Sequence, residues 1–307
     1  MSNVVKDSRP RQTKLWGRPT LIRPEKKKKM KEKSGIPFGR ISASAIRDYL
    51  KCQKLFYYRH VLKMRLPTKA VQLVFGSAFH SGIECFYDDL DPVKVFKAKF
   101  KYEEVDWIKD NEPMSTEESM LKFEELLADG IAMMTEWKEK AKAIHKQYNI
   151  PWKGASEVYF ENWWVHPESG ARLPIVVNGK VDRIANNGDI LEFKTSSKKY
   201  DKERVDTTEQ GDVYCFARHN DLKLKTPKFF FDNSNRMIYI IFLKGRKKDR
   251  IQVLETSRTV YDFARIYETV DLIIDAVKKN AEKDYKYGED FMHKYCDCHK
   301  YEEQLLL

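Results

Sequence analysis

The chain has 307 residues, 42% of them hydrophobic and 13% aromatic, with a formal net charge of +11; this is enough apolar material for one large or two small domains and excludes a mostly disordered chain. No apolar run approaches the roughly 20 residues of a membrane span and no signal-peptide core is visible, so an intracellular protein is expected, cytoplasmic or, in a eukaryotic host, nuclear. Five cysteines, Cys52, Cys85, Cys215, Cys296 and Cys298, are too few for a disulfide framework at this size and read as reduced thiols or metal ligands.

The charge is unevenly placed. Between Met1 and Arg40 thirteen Lys or Arg stand against Asp7, Glu25 and Glu32, which leaves the rest of the chain close to neutral. With four prolines and the run "EKKKKMKEK", residues 1–38 are expected to form a disordered basic tail. Two uses fit it: an arm that holds polyanions or docks a protein partner, or a solubilising or localisation segment. A helical region is expected over 39–150. "ISASAIRDYLKCQKLFYYRH" has apolar residues at helical spacing behind a cap at Ser42 or Ser44, and "VFGSAFHSGIECFYDDL" gives a second helix. "DPVKVFKAKFKYEEVDWIKD" gives a third, opened by Asp91 and Pro92. "TEESMLKFEELLADGIAMMTEWKEKAKAIHKQY" gives one long amphipathic helix with a bend at Gly130.

After Pro151 the pattern changes to β-rich runs. "ASEVYFENWWVHP", "RLPIVVNGKVDRIAN" and "GDILEFKTSS" are separated by the turn signals "ESGA" and "NNGD". A helix in "TTEQGDVYCFARHND", strands in "RMIYIIFLKG" and "RIQVLETSR", a long closing helix from Thr259, and an irregular end complete the 151–307 region. No Gly-rich phosphate loop is present.

The unusual stretch is "GKVDRIANNGDILEFKTSS", Gly179–Ser197, which sets charged side chains among apolar ones on a hairpin. Asp182 and Glu192 face each other across its turn, and Glu192 and Lys194, two apart, share a face. Two carboxylates at one point suit a hard divalent ion, and an adjacent ammonium can orient water or neutralise developing charge. Alone this pattern is weak, because alternating charges on a solvated strand produce it too.

Its neighbours make it specific. The acid, turn and ExK arrangement resembles the core of the PD-(D/E)xK nuclease superfamily, and four further segments resemble its RecB-like branch in the right order. These are "ISASAIRDYLKCQKLFYYRH", the Gly-x-x-x-His helix in "FGSAFHSGIE" with Gly76 and His80, the strand "VNGKVDRI", and the Q-x-x-x-Y helix "EQGDVYCFA" with Gln210 and Tyr214. The resemblance implies an α/β fold with a restriction-endonuclease-like core, a central mixed sheet flanked by helices, preceded by the N-terminal helical region. It implies a Mg²⁺- or Mn²⁺-dependent deoxyribonuclease, an exonuclease acting on single-stranded DNA or DNA ends, without a membrane role. His80, Asp182, Glu192 and the Phe193 carbonyl would hold the metal, and Lys194 would stabilise the attacking water. Gln210 and Tyr214 would contact nucleic acid or the lysine. Glu157 matches an acid at the start of the first core strand, and a surface glutamate fits equally well. A catalytically inactive nucleic-acid-binding or assembly subunit, and an adaptation-type CRISPR nuclease, are the alternatives.

Many RecB-like nucleases tie the N-terminal helix to the C-terminus with a four-cysteine iron–sulfur cluster. Cys52, Cys296 and Cys298 sit at corresponding places, but Gln53 follows Cys52 where proline is usual and the C-terminal trio is short by one. His293 or His299 would have to substitute in a cluster, or complete a zinc site with Cys296 and Cys298. Neither is expected, and the thiols are expected to be free.

Overall fold

Among the described residues, six strands carry the β-branched and aromatic runs and form one mixed sheet: β1 (Arg40–Ser42), β2 (Gly154–Val165), β3 (Arg172–Ala185), β4 (Ile190–Ser196), β5 (Arg236–Leu243) and β6 (Ile251–Ser257). This computed structural model describes residues 39–66, 69–109, 112–225, 236–279, 285–288, 293 and 296–306, so the basic tail lies outside the described residues. The sheet order is β1–β3–β4–β5–β6, with β2 on the other edge of β3. Strand β5, "RMIYIIFL", is apolar on both faces because both are covered. Met237, Tyr239, Ile241 and Leu243 enter one core, and Ile238, Ile240 and Phe242 the other.

The first core is closed by helices α1 (Ala43–Lys51), α5 (Glu209–Lys225) and α6 (Val260–Lys279), through Ile46, Phe216, Phe263 and Val270. The second is closed by α2 (Val71–Tyr87), α3 (Pro92–Lys99) and α4 (Thr116–Gln147). There Phe75, Phe79, Phe96 and Trp137 are fully buried, each contributing about 1.5–3 kcal/mol by area. Phe79 belongs to this core, and Phe86, Tyr87 and Trp107 are partly buried against it. The fold is thus the expected α/β arrangement of a central mixed sheet flanked by helices. None of the helices is long and apolar enough to cross a membrane, among the described residues.

The packing changes three elements from their expected form. Helix α1 stops at Lys51, because Cys52 is extended (φ −164°, ψ 112°), and the chain restarts as a short turn over Gln53–Phe56 and a π-helical turn over Tyr57–Val61. Helix α3 ends at Lys99, where Phe100 turns into the core, and beyond it Val105–Asp106 and Ile108–Lys109 pair as two-residue strands. Helix α4 is the one long helix expected, and at Gly130 the missing side chain makes room for the Phe96 ring. The C-terminus is not irregular throughout but forms α7 (Cys298–Leu306).

Strand β3 creates an opening in the sheet. Its outer edge pairs with β2 along most of its length, and Gly179 lies opposite Phe160, whose ring fills the space a Cβ would need. On the other edge β4 pairs only at Arg183 and Ile184 before leaving to run parallel to β5. Parallel β1 takes that edge only at Val176–Asn178. Residues 179–182 therefore sit in the fork between β1 and β4, where backbone groups have no strand partner on that side among the described residues.

An ion-pair network ties α1 to the following turns and to the chain end. Asp48, with a buried side chain, meets His60 Nε2 at 2.9 Å and Arg59 Nη1 at 3.4 Å, and Arg59 Nη2 reaches Asp297 at 2.5 Å. Burial alone would raise the Asp48 carboxyl, but the His60 hydrogen bond and the Arg59 and Arg47 charges hold it below its usual value. A depressed carboxyl stabilises the fold above its unfolded pKa, and that contribution is lost as pH falls through the folded value. Asp48→Asn is therefore expected to cost about 2 kcal/mol at neutral pH, with the deficit shrinking below about pH 4. Chemical denaturation at several pH values checks this, and a deficit independent of pH would contradict it.

Candidate active site

Asp182 occupies the fork in β3, and the gap explains its geometry. The Phe193 N–H, which has left the β3 ladder, donates to Asp182 Oδ2 at 2.8 Å, so a side chain replaces a missing strand partner. The other oxygen, Oδ1, lies 3.3 Å from His80 Nδ1. His80 projects from α2 one turn after Gly76, where the surroundings are open and a Cβ would meet nothing within 4 Å. Burial lowers the His80 pKa, but the Asp182 hydrogen bond and the Asp182 and Glu192 charges outweigh it and leave the imidazole above its ordinary value.

The third group of this cleft is Glu157 on β2. It lies between the pairs Ser156↔Arg183 and Val158↔Val181, opposite the Asp182 level of β3. Its φ of +53° is rare for a residue with a Cβ and costs about 1–2 kcal/mol. His80, Glu157 and Asp182 each present a ligand atom within 4.8 Å of the others. Ile83, Glu84, Ser156 and Phe193 complete the lining, and Lys180 pairs with Glu157. One imidazole and two carboxylates are the donor set that a hard divalent cation takes. The sequence leaves Glu157 open between ligand and surface residue, and the positive φ was not legible there.

Behind this cleft lies a second, more buried constellation. Ile190, Glu192 and Lys194 alternate onto the face of β4 covered by α5. Glu192 is 1% exposed, and its Oε1 receives Lys194 Nζ at 2.5 Å and Gln210 Nε2 at 2.8 Å. Gln210 accepts from Lys194 Nζ through Oε1 at 2.8 Å and donates from Nε2 to Tyr214 Oη at 3.0 Å. The i,i+4 spacing of Gln210 and Tyr214 on α5 thus places both on the lysine side of the hairpin. Burial pushes the Glu192 carboxyl up to about 7, against the opposing charge of Lys194, while Asp182 adds to the rise. Lys194 is pulled down by burial, but its contact with Glu192 more than restores it and keeps the ammonium form.

Glu192 Oε2 is buried with no hydrogen-bond partner among the described residues. An orphaned carboxylate oxygen near a second acid, Asp182, is costly unless a cation meets it, so these residues fit a divalent metal. Of the expected ligand set, the structure brings His80 and Asp182 together with Phe193 at the cleft wall. Glu192 instead directs one oxygen at Lys194 and Gln210, and Glu157 joins the cleft in front.

Helix α5 is fixed by a network that sequence reading did not single out. Asp212 pairs with the buried Arg258 and, at 2.9 Å, with Arg265, while Arg258 Nη2 donates to the Val205 and Thr208 carbonyls. Gly211 lets the Arg258 guanidinium lie against the helix, since a Cβ there would collide with it. The signal was one isolated arginine at a strand end, which sequence alone does not distinguish from a surface residue.

Two solved structures are similar to this chain at low sequence identity. One is that of a "Putative exonuclease" from Eubacterium rectale, at 12% identity over 92% of this chain and 93% of that one, with a TM-score of 0.46. Another is that of SSO0001, at 14% identity over 72% and 84% of the two chains, with a TM-score of 0.25. No curated protein matches the sequence. The sequence model of the PD-(D/E)XK nuclease superfamily matches residues 40–300. That span contains the hairpin, the His80 helix and the Gln210 helix, and the chain belongs to this superfamily, hydrolases of nucleic acid that typically use divalent metals.

Proposed function

We propose that the chain is a metal-dependent deoxyribonuclease of the RecB-like branch, an exonuclease working on single-stranded DNA or DNA ends with Mg²⁺ or Mn²⁺. The observation that carries this reading is the complete constellation around the β3–β4 fork: Asp182, His80 and Glu157 in front, Glu192, Lys194 and Gln210 behind. A decayed site in a binding subunit would have no reason to keep a buried glutamate, a lysine and a glutamine on one another. His80, Glu157, Asp182, Glu192 and the Phe193 carbonyl would hold the cation, which when bound polarises the phosphodiester and acidifies a water. Lys194 supplies a positive charge beside the reacting phosphate, and Gln210 fixes its ammonium between amide and carboxylate. Tyr214 holds Gln210 in turn. The narrow cleft against α2 suits a single strand or a frayed end better than a broad duplex face.

End-labelled single- and double-stranded DNA incubated with Mg²⁺ or Mn²⁺ tests the reading. Metal-dependent shortening from the ends of the single strand is the expected result; no cleavage of either substrate with either metal would overturn it. The basic tail is proposed to add affinity through phosphate contacts. Removing residues 1–34 should weaken DNA binding and flatten its dependence on salt, because fewer counterions are released. An unchanged salt slope in binding titrations would assign the tail elsewhere.

A further inference from the structure

The break in the first helix and the helix at the chain end meet at a second cluster of ligating side chains, far from the carboxylates in chemistry. Cys52, His293, Cys296 and Cys298 each offer one atom, and all four atoms lie within 4.8 Å of one another. The same ring nitrogen, His293 Nε2, is 3.5 Å from Cys52 Sγ and 3.3 Å from Cys298 Sγ. The three cysteines are buried and none forms a disulfide. We propose that these four residues form a structural zinc site that staples the end of α1 to the C-terminal segment.

Three lines of physical argument support it. A tetrahedral ion with bonds of about 2.3 Å to sulfur and about 2.0 Å to nitrogen sets its ligand atoms roughly 3.5–3.8 Å apart. The observed S···N distances lie close to that range. A four-iron cluster would hold its thiolates much further apart, around the whole cubane, than these four atoms are. The donors are also soft: three thiols and one imidazole select Zn²⁺ over the hard cations suited to His80, Glu157 and Asp182. With four protein donors and no open position, the site would be structural.

The surroundings are built for it. The extended backbone at Cys52 turns its Sγ toward the chain end, and the Leu55 N–H donates to that sulfur at 3.4 Å, as an outer-shell partner of a thiolate would. The Lys54 N–H donates to the Lys286 carbonyl at 3.0 Å, and the Lys286 N–H to Gln53 Oε1 at 3.2 Å. Gly288 passes so close to the Lys51 carbonyl and the His293 ring that a Cβ would not fit. Leu55, Tyr58 and Tyr301 form with the cysteines a small core separate from the two large ones. Such a satellite core has little apolar area of its own, which is the situation in which a metal supplies the folding energy. Binding releases the thiol protons to solvent and changes no oxidation state.

The full chain, purified without added chelator, tests this by elemental analysis and by replacing the bound metal with Co²⁺. About one zinc per chain is expected, and the cobalt form should show the intense thiolate-to-cobalt charge-transfer absorption that oxygen ligands of the nuclease cleft cannot give. Cys296→Ser with Cys298→Ser should lose both, while Cys85→Ser and Asp182→Asn should keep both. The cobalt spectrum of the unaltered chain stands even if the double variant fails to fold. Iron with acid-labile sulfide in place of zinc, a disulfide between two of the three cysteines, or cobalt without charge-transfer absorption would each overturn the proposal.

Discussion

Asp182→Asn should reduce DNA cleavage by roughly a thousandfold, equivalent to several kcal/mol of lost stabilisation at the reacting phosphate. The carboxylate contacts two groups at once, His80 through Oδ1 and the Phe193 N–H through Oδ2. This makes asparagine a cleaner test than alanine. An amide oxygen can still accept from the Phe193 N–H, whereas alanine would leave that donor unpaired in the fork at a cost of about 1–3 kcal/mol. Removing a ligand leaves the fold undisturbed only where no backbone group depends on it. Asp182→Asn should therefore melt near the wild-type temperature and be inactive, while Asp182→Ala should be both inactive and less stable. Chelation of the unaltered protein should abolish cleavage and restored metal should return it. A wild-type rate in Asp182→Asn, or cleavage in excess chelator, would remove Asp182 from the metal site.

What could be read from the sequence and what could not divide along a physical line. The five strands from 154 onward are visible because each is a run of β-branched and aromatic residues ended by a turn signal such as "NNGD". The acid–turn–ExK hairpin follows from them, since period-two alternation alone places Glu192 and Lys194 on one face. Elements decided by tertiary contact were not visible. Nothing in "LKCQK" resembles a helix stop, because neither glycine nor proline is there, and the break at Cys52 answers to the chain end more than 230 residues later. That Gly130 serves the Phe96 ring on another helix is likewise invisible in the sequence. Glu157 looks like any strand glutamate until its positive φ and its place opposite Asp182 are known. The separation of Glu192 from the His80–Asp182 pair likewise depends on where α5 places Gln210, which lies 18 residues further along the chain.

Lys194→Ala should lower the single-turnover cleavage rate by roughly a hundredfold or more at saturating metal, with substrate binding little changed. The ammonium is held by Glu192 Oε1 and Gln210 Oε1, so its position is fixed before substrate arrives and no reorganisation is needed as charge builds on the phosphate oxygens. Its charge is secure, because the contact with Glu192 outweighs the effect of burial. The same contact gives the lysine a second consequence. Without it, the buried Glu192 loses its main opposing positive charge and takes up a proton more readily, which weakens any cation held nearby. A loss of rate could therefore come from the missing ammonium or from a weaker metal site, and the two are separable by metal titration. If the rate loss persists at metal concentrations that saturate the variant, the ammonium acts on the reacting phosphate; if excess metal restores the rate, Lys194 only tunes Glu192. Melting temperatures measured alongside settle the remaining case. A variant that cleaves at the full rate per folded molecule but melts lower would show a structural lysine and would favour a nucleic-acid-binding subunit over a nuclease.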